Sequence, residues 1–316
     1  MKITILDGHG INPGDLSWDC FRQFGEVTYY DRTENESLTI QRIADSEIVL
    51  LNKVPITENV LAHCPNLKLI CVLATGYNVV DCKAAAAHGI PVCNVPGYGT
   101  DAVAQFTFAL LLELCHRVGL HSDSVHRGDW SACPDFCYWM TPQMELAGKT
   151  MGIIGYGAIG QAVGKIARAF GMKVLAYSRT HHPEHSYVDL DTLLNDSDVI
   201  SLHCPLFPEN TGMIDAAAIH KMKDGAILLN TARGALIDEY AVAKALHSGK
   251  LSGMAADVSV IEPIPTDSPL LTAPNCILTP HIAWAPRESR QRIFDATVEN
   301  IHAFLAGSPK NVVNNL

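Results

Sequence analysis

The stretch Thr150-Met151-Gly152-Ile153-Ile154-Gly155-Tyr156-Gly157-Ala158-Ile159-Gly160 decides how the chain is read. Residues 151–154 form an apolar run of strand length that leads straight into a G-x-G-x-x-G pattern. A helix over 158–170 starts within the glycines, with Ile159, Val163, Ile166 and Phe170 on one face and Gly171 where a C′ glycine belongs. That layout suits a dinucleotide. Gly155 permits the tight turn, Gly157 lets the backbone approach a pyrophosphate, and Gly160 lets helix and strand pack closely. The diphosphate then lies against free N–H groups at the helix start, so Gly155, Tyr156, Gly157, Ala158, Ile159 and Gly160 are the first candidate cofactor residues. The plainer alternative is a tight strand-to-helix turn with no ligand.

Outward from this motif the same alternation continues. Strands are expected at 173–176, 199–203, 226–230, 253–257 and 276–279 after it, and at 2–6, 27–30, 48–51 and 69–72 well before it. A helix over 81–88 ends on Gly89. Strands alternating with helices imply βαβ units and parallel sheets, so the chain reads as two α/β units without a Ser/Gly linker. Thr100 suits an N-cap, and Phe106, Leu110 and Leu114 mark one face of the long helix that follows. Gly97-Tyr98-Gly99-Thr100-Asp101-Ala102 also fits a glycine fingerprint, but Pro91 and Pro96 interrupt the segment before it. It is read as the crossover between domains. The final helix is expected from Pro286, as its first residue, to about Ala306.

Composition bounds what the protein can be. Of 316 residues 48% are hydrophobic and 18% charged, an ordinary globular balance. Lys+Arg is 23 against Asp+Glu 33, a formal net charge of −10, which argues against nucleic acid or an anionic membrane as the main partner. The sequence reaches Asp7 too early for a signal peptide's apolar core, and no apolar run approaches the roughly 20 residues of a membrane span. A cytoplasmic location is therefore expected, with the ten cysteines as free thiols. Cys133 and Cys137 are half of a zinc-ligand spacing without a second half, and His181, His182 and His185 are a surface-loop cluster. No structural metal is expected.

A dinucleotide site usually carries an acid about 20 positions after the glycines, to bind the adenosine ribose diol. Here Tyr177-Ser178-Arg179-Thr180 holds no carboxylate. A hydroxyl at Ser178 and a guanidinium at Arg179 suit a 2′-phosphate, which leans the cofactor towards NADP(H) over NAD(H). A solvated Arg179 and a site tolerating either form is the alternative.

Three further polar residues stand at the ends of expected strands, the edge where open α/β sheets hold ligands. Arg233 follows Asn230-Thr231-Ala232, Glu262 follows Asp257-Val258-Ser259-Val260-Ile261, and His281 follows Thr279-Pro280. Singly each has an ordinary reading: a loop Arg, a Glu capping a turn, a satisfied His. Together, Asn230-Thr231-Ala232-Arg233-Gly234, Asp257-Val258 with Glu262-Pro263, and Thr279-Pro280-His281-Ile282 resemble the D-isomer-specific 2-hydroxyacid dehydrogenases. Ala74-Thr75-Gly76-Tyr77-Asn78-Val79-Val80-Asp81, the segment 133–139 and Trp284 look most like the glycerate dehydrogenase (hydroxypyruvate reductase) branch.

The resemblance covers essentially the whole chain and carries definite implications. It implies an α/β fold in which a Rossmann-type dinucleotide-binding domain, 100–283, is inserted into a flavodoxin-like substrate domain, 1–99 and 284–316, with substrate bound between them. Arg233 would pair with the substrate carboxylate and polarise the carbonyl. His281 would donate the proton as hydride arrives, and Glu262 would orient His281 and favour its protonated form. The backbone N–H groups of Thr75 and Gly76 would bind the carboxylate, and Lys53, otherwise a solvated lysine, would line the same pocket. Asp257 would hydrogen-bond the nicotinamide carboxamide, and Pro205 and Thr231 would shape the cofactor cleft. The region 133–139 would be a dimer-forming loop from which Trp139 can reach the partner's site, which implies a homodimer.

The implied reaction is reversible reduction of hydroxypyruvate or glyoxylate by NAD(P)H. A dinucleotide-sensing scaffold like the C-terminal-binding-protein corepressors is the alternative. Glu262 argues against formate dehydrogenase, whose matching position carries Gln. The lack of an extension past Leu316 argues against the regulated phosphoglycerate dehydrogenases. Gln105 departs from the family, standing where Glu is common.

Overall fold

Ile48-Val49-Leu50-Leu51 and Leu69-Ile70-Cys71-Val72 contain no polar side chain, and all eight residues are buried. Strands of that kind belong in the middle of a parallel sheet covered on both faces. The computed structural model, which describes residues 1–181 and 186–316, places them there. The chain divides into two units, Met1–Gly99 with Trp284–Leu316, and Thr100–Ala283.

The first unit begins with β1 (Lys2–Ile5), β2 (Glu26–Tyr29), α1 (Glu36–Ile43), β3 (Ile48–Leu51), α2 (Glu58–His63), β4 (Leu69–Val72), α3 (Cys82–Ala87) and β5 (Val92–Cys93). All pairings are parallel, in the order β2-β1-β3-β4-β5, the flavodoxin-like arrangement. Alternate residues feed two cores. Val49, Leu51, Ile70 and Val72 face one, and Ile48, Leu50, Leu69 and Cys71 face the other. The side chains of Asn35, Thr57 and Asp81 accept from the N–H groups of Leu38, Val60 and Ala84, which starts each helix where the sequence supplies a short polar side chain. The two-residue β5, bracketed by Pro91 and Pro96, is a strand the prolines had argued against. It sits at the sheet edge, the position that tolerates them.

The second unit runs α4 (Thr100–His116), α5 (Val118–His126), β6 (Thr150–Ile154), α6 (Ala158–Ala169), β7 (Lys173–Tyr177), α7 (Leu190–Asp196), β8 (Val199–Leu202), α8 (Ala216–Lys221), β9 (Ala226–Asn230), α9 (Glu239–Ser248), β10 (Leu251–Ala256) and β11 (Cys276–Leu278). Its six strands pair in parallel in the order β11-β10-β9-β8-β6-β7. The chain then returns to the first unit as α10 (Arg287–Leu305). Both sheets are doubly wound α/β sheets, and the second carries between β6 and β7 the strand–glycine loop–helix unit of a Rossmann-type domain.

Three local expectations need correction. Thr100 is the first residue of α4, and Pro286 is the N-cap of α10, one position outside it. The buried stripe of α4 runs through Ala104, Thr107, Phe108, Leu111 and Cys115, while Phe106 and Leu114 lie on its flanks. That helix is apolar around most of its surface, Leu110 included among its buried residues, so the spacing of its large residues alone does not mark the centre of the stripe. Among the described residues no single helix is long and apolar enough to cross a membrane.

Candidate active site

The glycine loop joins β6 to α6. Gly155 has φ +95, and a Cβ there would come within 2.4 Å of the Cys204 backbone N, in the segment that follows β8. β6 and β8 are neighbours, yet β6 leads first to β7 on its other side, so this close approach marks the switch point of the sheet. A Cβ on Gly160 would lie 2.2 Å from the carbonyl oxygen of Gly155. Gly157, the N-cap of α6, differs: a Cβ there would meet nothing within 4 Å. The fold needs glycine at 155 and 160, whereas at 157 only something outside the chain would need the space. The open backbone above a helix N-terminus fits a pyrophosphate.

The remaining cofactor candidates are more varied. Tyr156 is buried, and its hydroxyl accepts from the Arg168 guanidinium at 3.1 Å. Ile159 packs against the same core. Tyr156 therefore offers a ligand its backbone only, Ile159 is half-buried, and Ala158 is the exposed first residue of α6. Ser178 follows β7 directly. Arg179 is exposed, its guanidinium 4.1 Å from the centre of the Phe207 ring, and pairs with no carboxylate among the described residues. Pro205 accepts from Asn210 Nδ2 at 2.9 Å, and the hydroxyl of Thr231 lies 3.0 Å from that of Thr107 in α4.

Arg233, Glu262 and His281 follow β9, β10 and β11, three adjacent parallel strands, so their carboxyl ends emerge on one edge. Fully buried Asn230 shapes the first turn. Its amide donates to the Arg233 carbonyl at 2.9 Å and its oxygen accepts from Ala232 N at 3.1 Å. The Arg233 side chain is left exposed, and its guanidinium pairs with no carboxylate among the described residues. Glu262 Oε2 lies 2.6 Å from His281 Nδ1. A carboxylate only accepts, so Nδ1 carries a proton and Nε2 is the ring nitrogen that exchanges one.

His281 adopts φ +56, a left-handed conformation uncommon for residues other than glycine. The buried carboxylate of Asp257 holds the surrounding turn. Oδ1 accepts from Thr279 Oγ1 at 2.6 Å and Ile282 N at 2.8 Å, and Oδ2 from Ala283 N at 2.7 Å. Asp257 thus works on the turn that presents His281, with acceptor capacity left on Oδ2 for a ligand amide.

In the first unit, Asp7 follows β1 and accepts the backbone N–H groups of Asn52 and Lys53 at 2.8 and 2.6 Å, which fixes the turn carrying exposed Lys53. Burial pushes the Asp7 carboxyl above its ordinary value, against those hydrogen bonds. Thr75 follows β4. Its hydroxyl donates to the Val95 carbonyl and its own carbonyl accepts from Asn94. Among the described residues no acceptor pairs with the backbone N–H of Thr75 or Gly76. His182 and His185 of the histidine cluster lie outside the described residues.

Residues 108–283 match the family model described as D-isomer specific 2-hydroxyacid dehydrogenase, NAD binding domain. A hydroxypyruvate reductase of Blautia hydrogenotrophica is 54% identical, over 99% of this chain and 100% of that protein. The chain belongs to the D-isomer-specific 2-hydroxyacid dehydrogenases. A second relative in the family, a glycerate dehydrogenase of Methylorubrum extorquens, is 42% identical over 99% of this chain and 98% of its own. Among solved structures, the TT0316 protein from Thermus thermophilus superimposes with a TM-score of 0.87 at 36% identity, covering 99% of this chain and 100% of that one. Within the D-2-hydroxyacid dehydrogenases this chain falls in the glycerate dehydrogenase and hydroxypyruvate reductase branch, and it is an enzyme that uses a nicotinamide dinucleotide. The scaffold alternative finds no support in these relatives.

Sequence reasoning named candidate residues for the site but not those that hold them. Asn230 and Thr279 were visible only as parts of motifs. Glu239, whose carboxylate bonds to the Glu262 loop, looked like an ordinary acid in a first helical turn.

Proposed function

We propose that the protein reduces hydroxypyruvate to D-glycerate and glyoxylate to glycolate, and runs the reverse reaction at high product. The observation that carries this reading is the 2.6 Å contact between Glu262 and His281 Nδ1, at the same sheet edge as the exposed Arg233. The nicotinamide, when bound in its reduced form, supplies hydride to C2 of the keto acid. Arg233 pairs with the substrate carboxylate and draws charge towards the carbonyl oxygen. The electron pair of the C=O bond passes to that oxygen, which takes its proton from His281 Nε2. Glu262 keeps the ring turned so that Nε2, not Nδ1, meets the substrate. From the first unit, the N–H groups of Thr75 and Gly76 are the proposed carboxylate donors, with Lys53 adding positive charge.

For the cofactor, the residues after β7 favour NADP(H). Ser178 and Arg179 offer a donor and a cation where an acid would repel a 2′-phosphate. Asp257 takes the carboxamide, and Pro205 and Thr231 line the cleft. The exposed Phe136 and Trp139, at 89% and 70%, support a homodimer built through that loop. Arg233→Ala and His281→Ala are each expected to lower kcat/KM by about a thousandfold or more. Melting temperature and dinucleotide affinity should stay near wild type. Full activity in either purified variant contradicts the assignment.

A further inference from the structure

We propose that Glu239 is a positioning residue for proton transfer: its carboxylate fixes the loop that carries Glu262, and through it the orientation of His281. The proposal rests on the reading of His281 as proton donor.

Residues 257–268 leave β10 without regular secondary structure, and Val260 and Ile261 are 50% and 61% exposed. Past buried Val258, apolar burial therefore does little to hold the loop. Polar contacts hold it instead, and they converge on one side chain. Glu239 Oε1 accepts from Ser259 Oγ and from Val260 N, both at 3.0 Å, and Oε2 accepts from Ser268 Oγ at 3.2 Å, so a single carboxylate ties both ends of the loop. Ser259 is shared: its hydroxyl donates to Glu239 and its backbone N–H donates to Glu262 Oε1 at 3.3 Å. Glu262 Oε2 then meets His281 Nδ1.

Two further observations show that this arrangement is built in. Asp238 already caps α9 by accepting from Tyr240 N and Ala241 N, so Glu239 is not needed for that task. Gly234, next to Arg233, lies so near the loop that a Cβ would fall 2.0 Å from the Ser259 carbonyl carbon and 2.4 Å from Val260 N. One short segment thus presents Arg233 at its start, accommodates the Glu262 loop at Gly234 and clamps it at Glu239. A carboxylate and a proton donor misaligned by a fraction of an ångström lose rate in the chemical step and not in binding.

The test is a kinetic cycle on the full chain with hydroxypyruvate and NAD(P)H. Glu239→Ala is expected to lower kcat about tenfold, with substrate KM and dinucleotide affinity within about twofold of wild type. In Glu239→Gln the carbonyl oxygen still accepts from Ser259 and Val260, and the amide donates to Ser268 Oγ, so activity should return to within about threefold of wild type. Placed on Glu262→Gln, Glu239→Ala should add less than about twofold, because its effect passes through Glu262. Should Glu239→Ala fail to fold, Ser259→Ala removes one clamp bond while keeping the Ser259 N–H, with an expected kcat loss of about threefold. Multiplicative losses in the double variant, no rescue by Gln, or an unchanged kcat in Glu239→Ala or its substitute would overturn the proposal. A fully active His281→Ala would instead overturn the proton-donor reading beneath it.

Discussion

His281 shows what a single residue demands of its surroundings. A left-handed histidine costs conformational energy that glycine would not, and three hydrogen bonds to buried Asp257 on both sides of it hold that geometry. The sequence motif pointed to His281, Glu262 and Arg233 as candidates, and the fold sets all three at one sheet edge. The contacts that fix them were not legible, because they depend on which strands lie side by side. His203, after β8, makes a different demand. Its Nε2 lies 2.7 Å from Ser201 Oγ, its Nδ1 is buried without a hydrogen-bond partner among the described residues, and burial pushes its pKa down to about 3. The ring folds neutral, whereas the unfolded chain takes up a proton below the ordinary value of 6.5. Its contribution to stability is therefore complete above 6.5 and lost progressively as pH falls towards about 3. His203→Gln should flatten the fall of the urea midpoint across that window, and a slope equal to wild type would show that His203 does not titrate this way.

At the scale of elements, the β6–loop–α6 unit separates what the fold needs from what a ligand needs. Gly160→Ala forces a Cβ against the Gly155 carbonyl and should lower the melting temperature, at a cost of about 1–3 kcal/mol. Gly157→Ala has open space and an extended backbone, φ −79 and ψ −160, so the melting temperature should hold. Dinucleotide affinity, read by fluorescence titration, should fall about tenfold or more, since the added methyl occupies the approach to the helix N-terminus. Unchanged affinity would remove the pyrophosphate from this loop. Alternation of strands and helices was readable because the central strands, Ile48–Leu51 and Leu69–Val72 above all, are apolar runs followed by helices that start on a short polar cap. The stripe on α4 was legible only at Leu110, because a helix apolar on most sides gives no clear period; Phe106 and Leu114 are half-buried while Ala104, Thr107, Phe108, Leu111 and Cys115 are buried. β5 escaped notice because two residues between prolines carry no periodicity at all.

For the whole molecule, a net charge of −10 sits oddly with anionic substrate and cofactor. Arg233 and Arg179, both exposed and unpaired with carboxylates among the described residues, together with the amino end of α6, supply positive potential locally. Bulk charge therefore speaks about partners of the surface and not about the site. The central claim is reduction of a small 2-keto acid by a bound nicotinamide dinucleotide, and one assay tests it most directly. Purified protein is mixed with NADPH or NADH, hydroxypyruvate is added, nicotinamide absorbance is followed, and the product is resolved by enantiomer. Oxidation of the dinucleotide on addition of hydroxypyruvate, faster with NADPH, with D-glycerate as the product, is the expected result. Tight dinucleotide binding without turnover on hydroxypyruvate or glyoxylate, or formation of the L-enantiomer, would contradict the account.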